Sequence, residues 1–303
     1  MSITKYDQLK GCFLAGALGD AMGSSFENQN DNESSTYYAF EKPKEPVITW
    51  EITDDTQLTF ATIESIIEDI HLSPNVLSNS FVHLFSKRSI RGVGSSTLKA
   101  LQELEAGGHW SQVGRRGEYA AGNGAAMRIA PLAFLANVDR KRIQDICFIT
   151  HHNDEAYSGA LAVVLAIKEI TDNRWDGKTN LLSTVAAQLP DTRVKDRIVE
   201  ISKMTDLKEI GDIGSSGYVV DSIPLALAAA NQVRDVGLDQ MFQSLIAIGG
   251  DTDTNCSIAG QIAGCYIGKS NFSSSQVKKL EQIPEYEYLL DATKRFGEKL
   301  NWI

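Results

Sequence analysis

Apolar residues recur at helical spacing in one segment after another of this chain, and the two-residue alternation of strands is nearly absent. Between residues 56 and 70 the set Leu58, Phe60, Ala61, Ile63, Ile66, Ile67 and Ile70 falls at helical spacing. Residues 155–170 are apolar almost all round, the pattern of a buried central helix. The same period predicts helices over 11–22, 98–105, 127–135, 140–150, 181–188, 194–204, 221–236, 239–248, 255–267 and 286–300. A weak strand candidate lies at 47–50. The pattern predicts an all-α protein, not an alternating α/β one. No repeat of fixed period and no Pro/Ser-rich linker divides the chain, so one domain over residues 1–303 is expected.

Composition narrows the function classes. An apolar fraction of 43% and a charged fraction of 22% in 303 residues are enough for a sizeable core and exclude a mostly disordered chain. Lys+Arg is 29 against Asp+Glu 39, a net charge of −10, which argues against a nucleic-acid binder. The longest apolar run is eight residues, 160–167, where a membrane span needs about 20. Cys12, Cys147, Cys256 and Cys265 form no Cys-x-x-Cys, and the five histidines form no His-x-x-x-His, so zinc is not expected and the thiols read as buried and free. Residues 9–12 superficially resemble a lipoprotein cleavage site. The residues before them are polar and Asp20 interrupts those after, so no signal peptide is expected and the cytoplasm is the default.

Thr53-Asp54-Asp55-Thr56 stands immediately before a predicted helix. Adjacent carboxylates flanked by hydroxyls offer hard oxygen ligands for magnesium or manganese, and equally suit helix capping. Asp251-Thr252-Asp253-Thr254 follows Gly249-Gly250 and precedes another helix. It is not an EF-hand loop: Cys256 and Ile262 stand where that loop needs Gly and Glu. Brought together in a core, Asp54, Asp55, Asp251 and Asp253 would repel unless cations or protons intervened, the logic of a dinuclear hard-metal site.

Gly122-Asn123-Gly124-Ala125-Ala126-Met127-Arg128 is predicted to open a helix, where small residues admit a ligand and free N–H groups suit phosphate. Arg91-Gly92-Val93-Gly94-Ser95-Ser96-Thr97 has the same character, and either could be a plain capping turn. In Thr150-His151-His152 at most one histidine is expected to face a site. Glu27 precedes a polar stretch, residues 28–45, whose length suits a lid or a surface insertion.

In order and spacing these segments resemble the ADP-ribosylglycohydrolase family. The matching pieces are Gly16-Ala17-Leu18-Gly19-Asp20-Ala21-Met22-Gly23 with Glu27, Thr53-Asp54-Asp55-Thr56, the run from Gly122 to Leu132, Thr150-His151, and Gly249-Gly250-Asp251-Thr252-Asp253-Thr254. The chain departs from the family pattern at Ala125, where many members carry Ser, and at Asn153-Asp154. The resemblance implies an all-α, orthogonally packed multi-helix bundle. It implies two divalent cations, Mg2+ or Mn2+, on Thr53, Asp54, Asp55, Asp251, Asp253 and Thr254. It implies ADP-ribose contacts from Gly92, Gly94, Ser95, Ser96, Gly122, Asn123, Gly124, Met127 and His151, and a catalytic carboxylate at Glu27 with Asp55 as the alternative.

The activity so implied is hydrolysis of an ADP-ribosyl bond on a modified protein, ADP-ribosyl-arginine first. O-linked substrates, ADP-ribosyl-serine or O-acetyl-ADP-ribose, and a non-catalytic binding or structural member are the alternatives. The expected partner is an ADP-ribosylated protein or ADP-ribose derivative, with no nucleic acid and no membrane, and the expected state is a monomer.

Overall fold

The computed structural model describes residues 3–27 and 47–303; the polar stretch 28–45, expected as a lid or a surface insertion, lies outside the described residues. Fourteen α-helices are present among the described residues. In chain order they are α1 Lys5–Gly23, α2 Asp54–Glu68, α3 Pro74–Ser86, α4 Ser95–Glu105, α5 Arg140–Phe148, α6 Asp154–Thr171 and α7 Leu181–Ala186. Then follow α8 Arg193–Ile201, α9 Leu207–Ile213, α10 Val219–Asn231, α11 Val233–Ile248, α12 Thr252–Ile267, α13 Ser274–Leu280 and α14 Tyr286–Lys299. Strand pairing among the described residues amounts to Arg115–Arg116 running parallel to His151–His152, which fixes the backbone at His151, and an isolated antiparallel bridge between Gly122 and Tyr218. The all-α expectation holds.

Local chemistry explains the helix starts. Thr4, Ser73, Asp139, Asn153 and Thr192 each accept a backbone N–H of the helix that follows. Helices α3, α9 and α13 were not expected: α9 and α13 are only seven residues each, whereas α3 does carry Leu77, Phe81, Leu84 and Phe85 at helical spacing and the sequence reading passed it over. Residues 127–135 are not α-helical: Ala130–Phe134 is a 3-10 turn, because Pro131 has no N–H to donate. The segment opened by Gly122 is likewise a 3-10 turn, Asn123–Ala125. The helix expected over 221–236 is broken at Gln232, and α11 bends at Gly237, where φ is 76°. Residues 47–50 form no strand. Among the described residues no helix is long and apolar enough to cross a membrane, and the four thiols are buried and free.

The packing of α1 on α12 positions the site. Gly11 of α1 lies against Gly264 of α12, Gly19 against Cys256 and Gly23 against Thr252, so the helices run antiparallel. A Cβ on Gly19 would fall 2.6 Å from the Cys256 carbonyl carbon, and one on Gly260 would fall 2.8 Å from that of Ala15. Glycine is required there for backbone-to-backbone approach, not for its φ freedom. Thr252 Oγ1 donates to Gly23 O at 2.8 Å, tying the end of α1 to the start of α12. Phe13 of α1 packs on Phe60 of α2 and Phe296 of α14 at 6.2 and 6.0 Å between ring centroids. The end of α1 and the starts of α2 and α12 therefore meet at one place.

Candidate active site

A cavity of about 440 Å³ opens where these helix ends meet. Its walls include Glu27, Asp54, Asp55, Asp251, Asp253 and Thr254. Gly92, Gly94, Ser95, Ser96, Gly122, Asn123, Gly124, Met127 and His151 also line it. Thr53 lies beneath the lining, buried at the start of α2.

The α2 start is held by a residue that periodicity did not mark as functional. Asp20, fully buried in α1, accepts from Thr53 N at 3.0 Å, Thr53 Oγ1 at 2.8 Å, Thr56 N at 3.1 Å and Thr56 Oγ1 at 2.5 Å. Capping of α2 thus falls to Asp20 and to Thr53, whose oxygen accepts from Asp55 N at 3.3 Å. The Asp54 and Asp55 carboxylates are left for the cavity. Burial raises the Asp20 pKa to about 6, against the pull of its hydrogen bonds. Its one sequence signal is a lone carboxylate inside an apolar, small-residue run.

The two acidic motifs touch. Thr254 Oγ1 donates to Asp55 Oδ2 at 3.1 Å across 199 residues of sequence. Asp251 makes no side-chain cap to α12; its Oδ2 accepts from Asn123 Nδ2 at 2.7 Å. Carboxylate oxygens of Glu27, Asp251 and Asp253 lie within 4.8 Å of one another. Burial first, then neighbouring carboxylates, pushes Asp54 and Asp55 well above the usual carboxylate range and Asp253 up to about 10. The cluster therefore needs protons or cations at neutral pH. Asp55 Oδ1 is buried without a hydrogen-bond partner, so an acceptor atom inside the cluster is open to a cation. All the donors are hard oxygens, which fits a divalent cation of the magnesium or manganese kind.

The opposite wall is built from glycine turns. Gly92 has φ 75° and packs beside Thr53 and Asp54, and Asp54 N donates to Arg91 O at 2.8 Å. Gly122 and Gly124 have no unusual φ; their need is space. A Cβ on Gly124 would come within 2.9 Å of His151 Cε1 and 3.3 Å of its Nε2. Part of the small-residue signal at 122–124 thus serves a histidine, where the sequence suggested a ligand or a plain capping turn. Burial first, then the Arg128 charge, lowers the His151 pKa to about 3, so the imidazole is neutral.

Ser216 and Gly217 also line the cavity, and the sequence reading passed them over. Their loop joins the two halves of the site. Asp251 N donates to Ser215 O at 3.0 Å, and Asn123 N donates to Gly217 O at 3.1 Å. The available signal was another Gly/Ser cluster, 214–217, of the kind seen at 92–97.

The profile of the ADP-ribosylglycohydrolase family matches residues 1–301. An uncharacterised protein of Archaeoglobus fulgidus is 26% identical over 279 residues, 85% of this chain and 87% of that protein. The Gallus gallus ADP-ribosylhydrolase ARH3 is 23% identical over 94% of this chain and 92% of its own length. The ADP-ribosylarginine hydrolase Tri1 of Pseudomonas putida is 27% identical over 90% and 74%. A solved structure titled an ADP-ribosylglycohydrolase-related protein complex shares the fold, with a TM-score of 0.72 at 22% identity over 98% of this chain and 99% of that one.

Proposed function

The chain belongs to the ADP-ribosylglycohydrolase family, and from that premise we propose that it hydrolyses the bond joining ADP-ribose to an arginine side chain of a modified protein. The observation that carries this reading is the junction of the two Asp/Thr motifs, with the orphaned Asp55 Oδ1, on a cavity that Glu27 and the glycine turns also line. Two divalent cations, Mg2+ or Mn2+, would be held by Asp54, Asp55, Asp251, Asp253 and Thr254. Thr53 joins the set because its proton goes to Asp20, leaving its oxygen as an acceptor. Bound there, the cations would neutralise the carboxylates and supply charge that orients the ribose hydroxyls.

The remaining chemistry belongs to the chain. The glycine turns at 92–94 and 122–124 admit the ADP-ribose backbone close to the wall. The bond between the anomeric carbon and the guanidino nitrogen breaks with its electron pair going to nitrogen, and the guanidine released takes the proton that the attacking water loses through Glu27. The oxocarbenium-like centre that remains is stabilised by surrounding carboxylates. Water adds to that carbon, and Glu27 accepts its proton. Glu27 is exposed at the cavity while Asp55 is buried, so Glu27 is the group that water reaches.

Two facts favour arginine as the acceptor. The Pseudomonas putida relative is named for ADP-ribosylarginine, and a net charge of −10 attracts arginine-rich segments. The test is a panel of arginine-, serine- and acetyl-linked ADP-ribose substrates, each with and without Mg2+ or Mn2+. Faster release from arginine, abolished by chelation, is expected. Exclusive release from serine-linked or acetylated substrate overturns the linkage. Full release after exhaustive chelation, with metal analysis, overturns the cation requirement.

A further inference from the structure

Behind the glycine turn of the cavity lies a buried polar chain that the proposed reaction does not use. Arg128 is fully buried, with its guanidinium 5.1 Å from the Phe81 ring centroid. Its Nη1 donates to Gly124 O, and its Nη2 donates to Thr150 Oγ1 at 3.0 Å and Ile146 O at 3.4 Å. Thr150 Oγ1 lies 2.6 Å from His151 Nδ1. Thr150 and His151 are buried, and the His151 ring reaches the cavity beside Gly122 and Gly124.

A guanidinium has only donors, so the Thr150 oxygen must accept from Arg128. The hydroxyl carries one proton, and among the described residues His151 Nδ1 is the acceptor within reach. Were Nδ1 protonated instead, the Thr150 oxygen would accept twice and its own proton would be buried without a partner. Leaving a buried donor unsatisfied forfeits its hydration without any return, so that arrangement is disfavoured. The direction of the chain is therefore Arg128 to Thr150 to His151. We infer that Arg128 and Thr150 are positioning residues that fix His151 as the tautomer protonated on Nε2, a hydrogen-bond donor presented to an oxygen of the bound ADP-ribose. The last clause rests on the reading of the cavity as an ADP-ribose site; the tautomer does not.

Among the described residues no protein group bonds His151 Nε2, which leaves that N–H for a ligand. Gly124 makes room for it, since a Cβ there would lie 3.3 Å from Nε2. Burial and the nearby Arg128 charge keep the ring neutral, which fits a ring held by one acceptor contact at Nδ1.

The test is long-range 1H–15N correlation of the histidine rings in the 15N-labelled full chain at pH 7, without ligand. His151→Gln assigns the signal. The expected pattern is a pyridine-type Nδ1 and a pyrrole-type Nε2. A protonated Nδ1, a doubly protonated ring or an averaged pair overturns the inference. Thr150→Val should give averaged tautomers and weaken ADP-ribose binding about tenfold, one lost hydrogen bond. Thr150→Ser should restore both. An unchanged tautomer in Thr150→Val overturns the role of Thr150. The ring spectrum of the wild type and of Thr150→Ser decides the matter even where the valine variant fails to fold. Failure of the wild type to bind ADP-ribose would instead strike the proposed function and leave the tautomer reading standing.

Discussion

Replacing Gly23 by alanine separates two effects that oppose each other. Gly23 has helical φ/ψ of −71° and −37°, so alanine is conformationally allowed. Helix propensity alone favours alanine by up to about 1 kcal/mol. The new Cβ, however, would lie 2.6 Å from the Thr252 carbonyl carbon and 2.7 Å from Asp253 Cα. Carbon atoms pack at about 3.5–4.0 Å, so the end of α1 and the start of α12 must part by about 1 Å. Overpacking of this kind costs about 1–3 kcal/mol, and backbone atoms cannot swing aside as a side chain could. The expected net loss is about 1–2 kcal/mol. Unfolding entropy of roughly 2 cal/mol/K per residue over 303 residues converts that to a Tm about 2–3 °C lower. The same shift moves Asp253 and Thr254 away from Asp55, and a misplacement of about 1 Å can reduce turnover about 100-fold. Thermal unfolding and ADP-ribose release, measured on one preparation, check both numbers. An equal or higher Tm with full turnover would refute the claim that this contact sets the geometry of the acidic cluster.

Three further outcomes are expected. Glu27→Gln keeps size and loses the base, so kcat should fall by roughly 10²–10⁴ while ADP-ribose affinity by calorimetry changes little. Near-normal kcat beside an inactive, ligand-binding Asp55→Asn would make Asp55 the base. Asp55→Asn or Asp253→Asn should abolish the Tm rise given by Mg2+ or Mn2+, about 2.7 kcal/mol at one hundred times Kd. The chelated variants should be at least as stable as the chelated wild type at neutral pH, since a buried amide is neutral without having to bind a proton; a large loss without metal would contradict this. In the chelated protein the raised carboxylates hold protons that the unfolded chain releases near 3.8, and Asp253 holds its proton to about 10. Their stabilisation is complete below pH 3.8 and is lost as pH rises towards 10. Tm measured with chelator from pH 6 to 9 should therefore show a downward contribution that Asp253→Asn removes.

Much of this protein was written in local sequence. Apolar content marks α1, α2, α6 and α12 because these helices are buried on nearly every side, and such a helix must be apolar almost all round. Periodicity passes over α9 and α13, whose seven residues each depend on neighbours to hold them. The acidic and glycine motifs are likewise legible as residue types: hard-oxygen donors at helix starts, and small residues in turns. What sequence left open is whether Asp54 and Asp55 cap their helix or face a ligand. That choice depends on Asp20, 33 residues from Thr53, whose carboxylate takes over the N–H groups of α2. Nor could spacing show that Thr254 would reach Asp55, since 199 residues separate them and the contact follows from how closely α1 and α12 approach. Gly124 carries the same lesson. As a residue it signals open space, and only the packed His151 ring shows what fills it. Residue type and period are local properties of a chain, whereas the partner of a buried polar atom is set by long-range packing, and that packing is where the function of this site was decided.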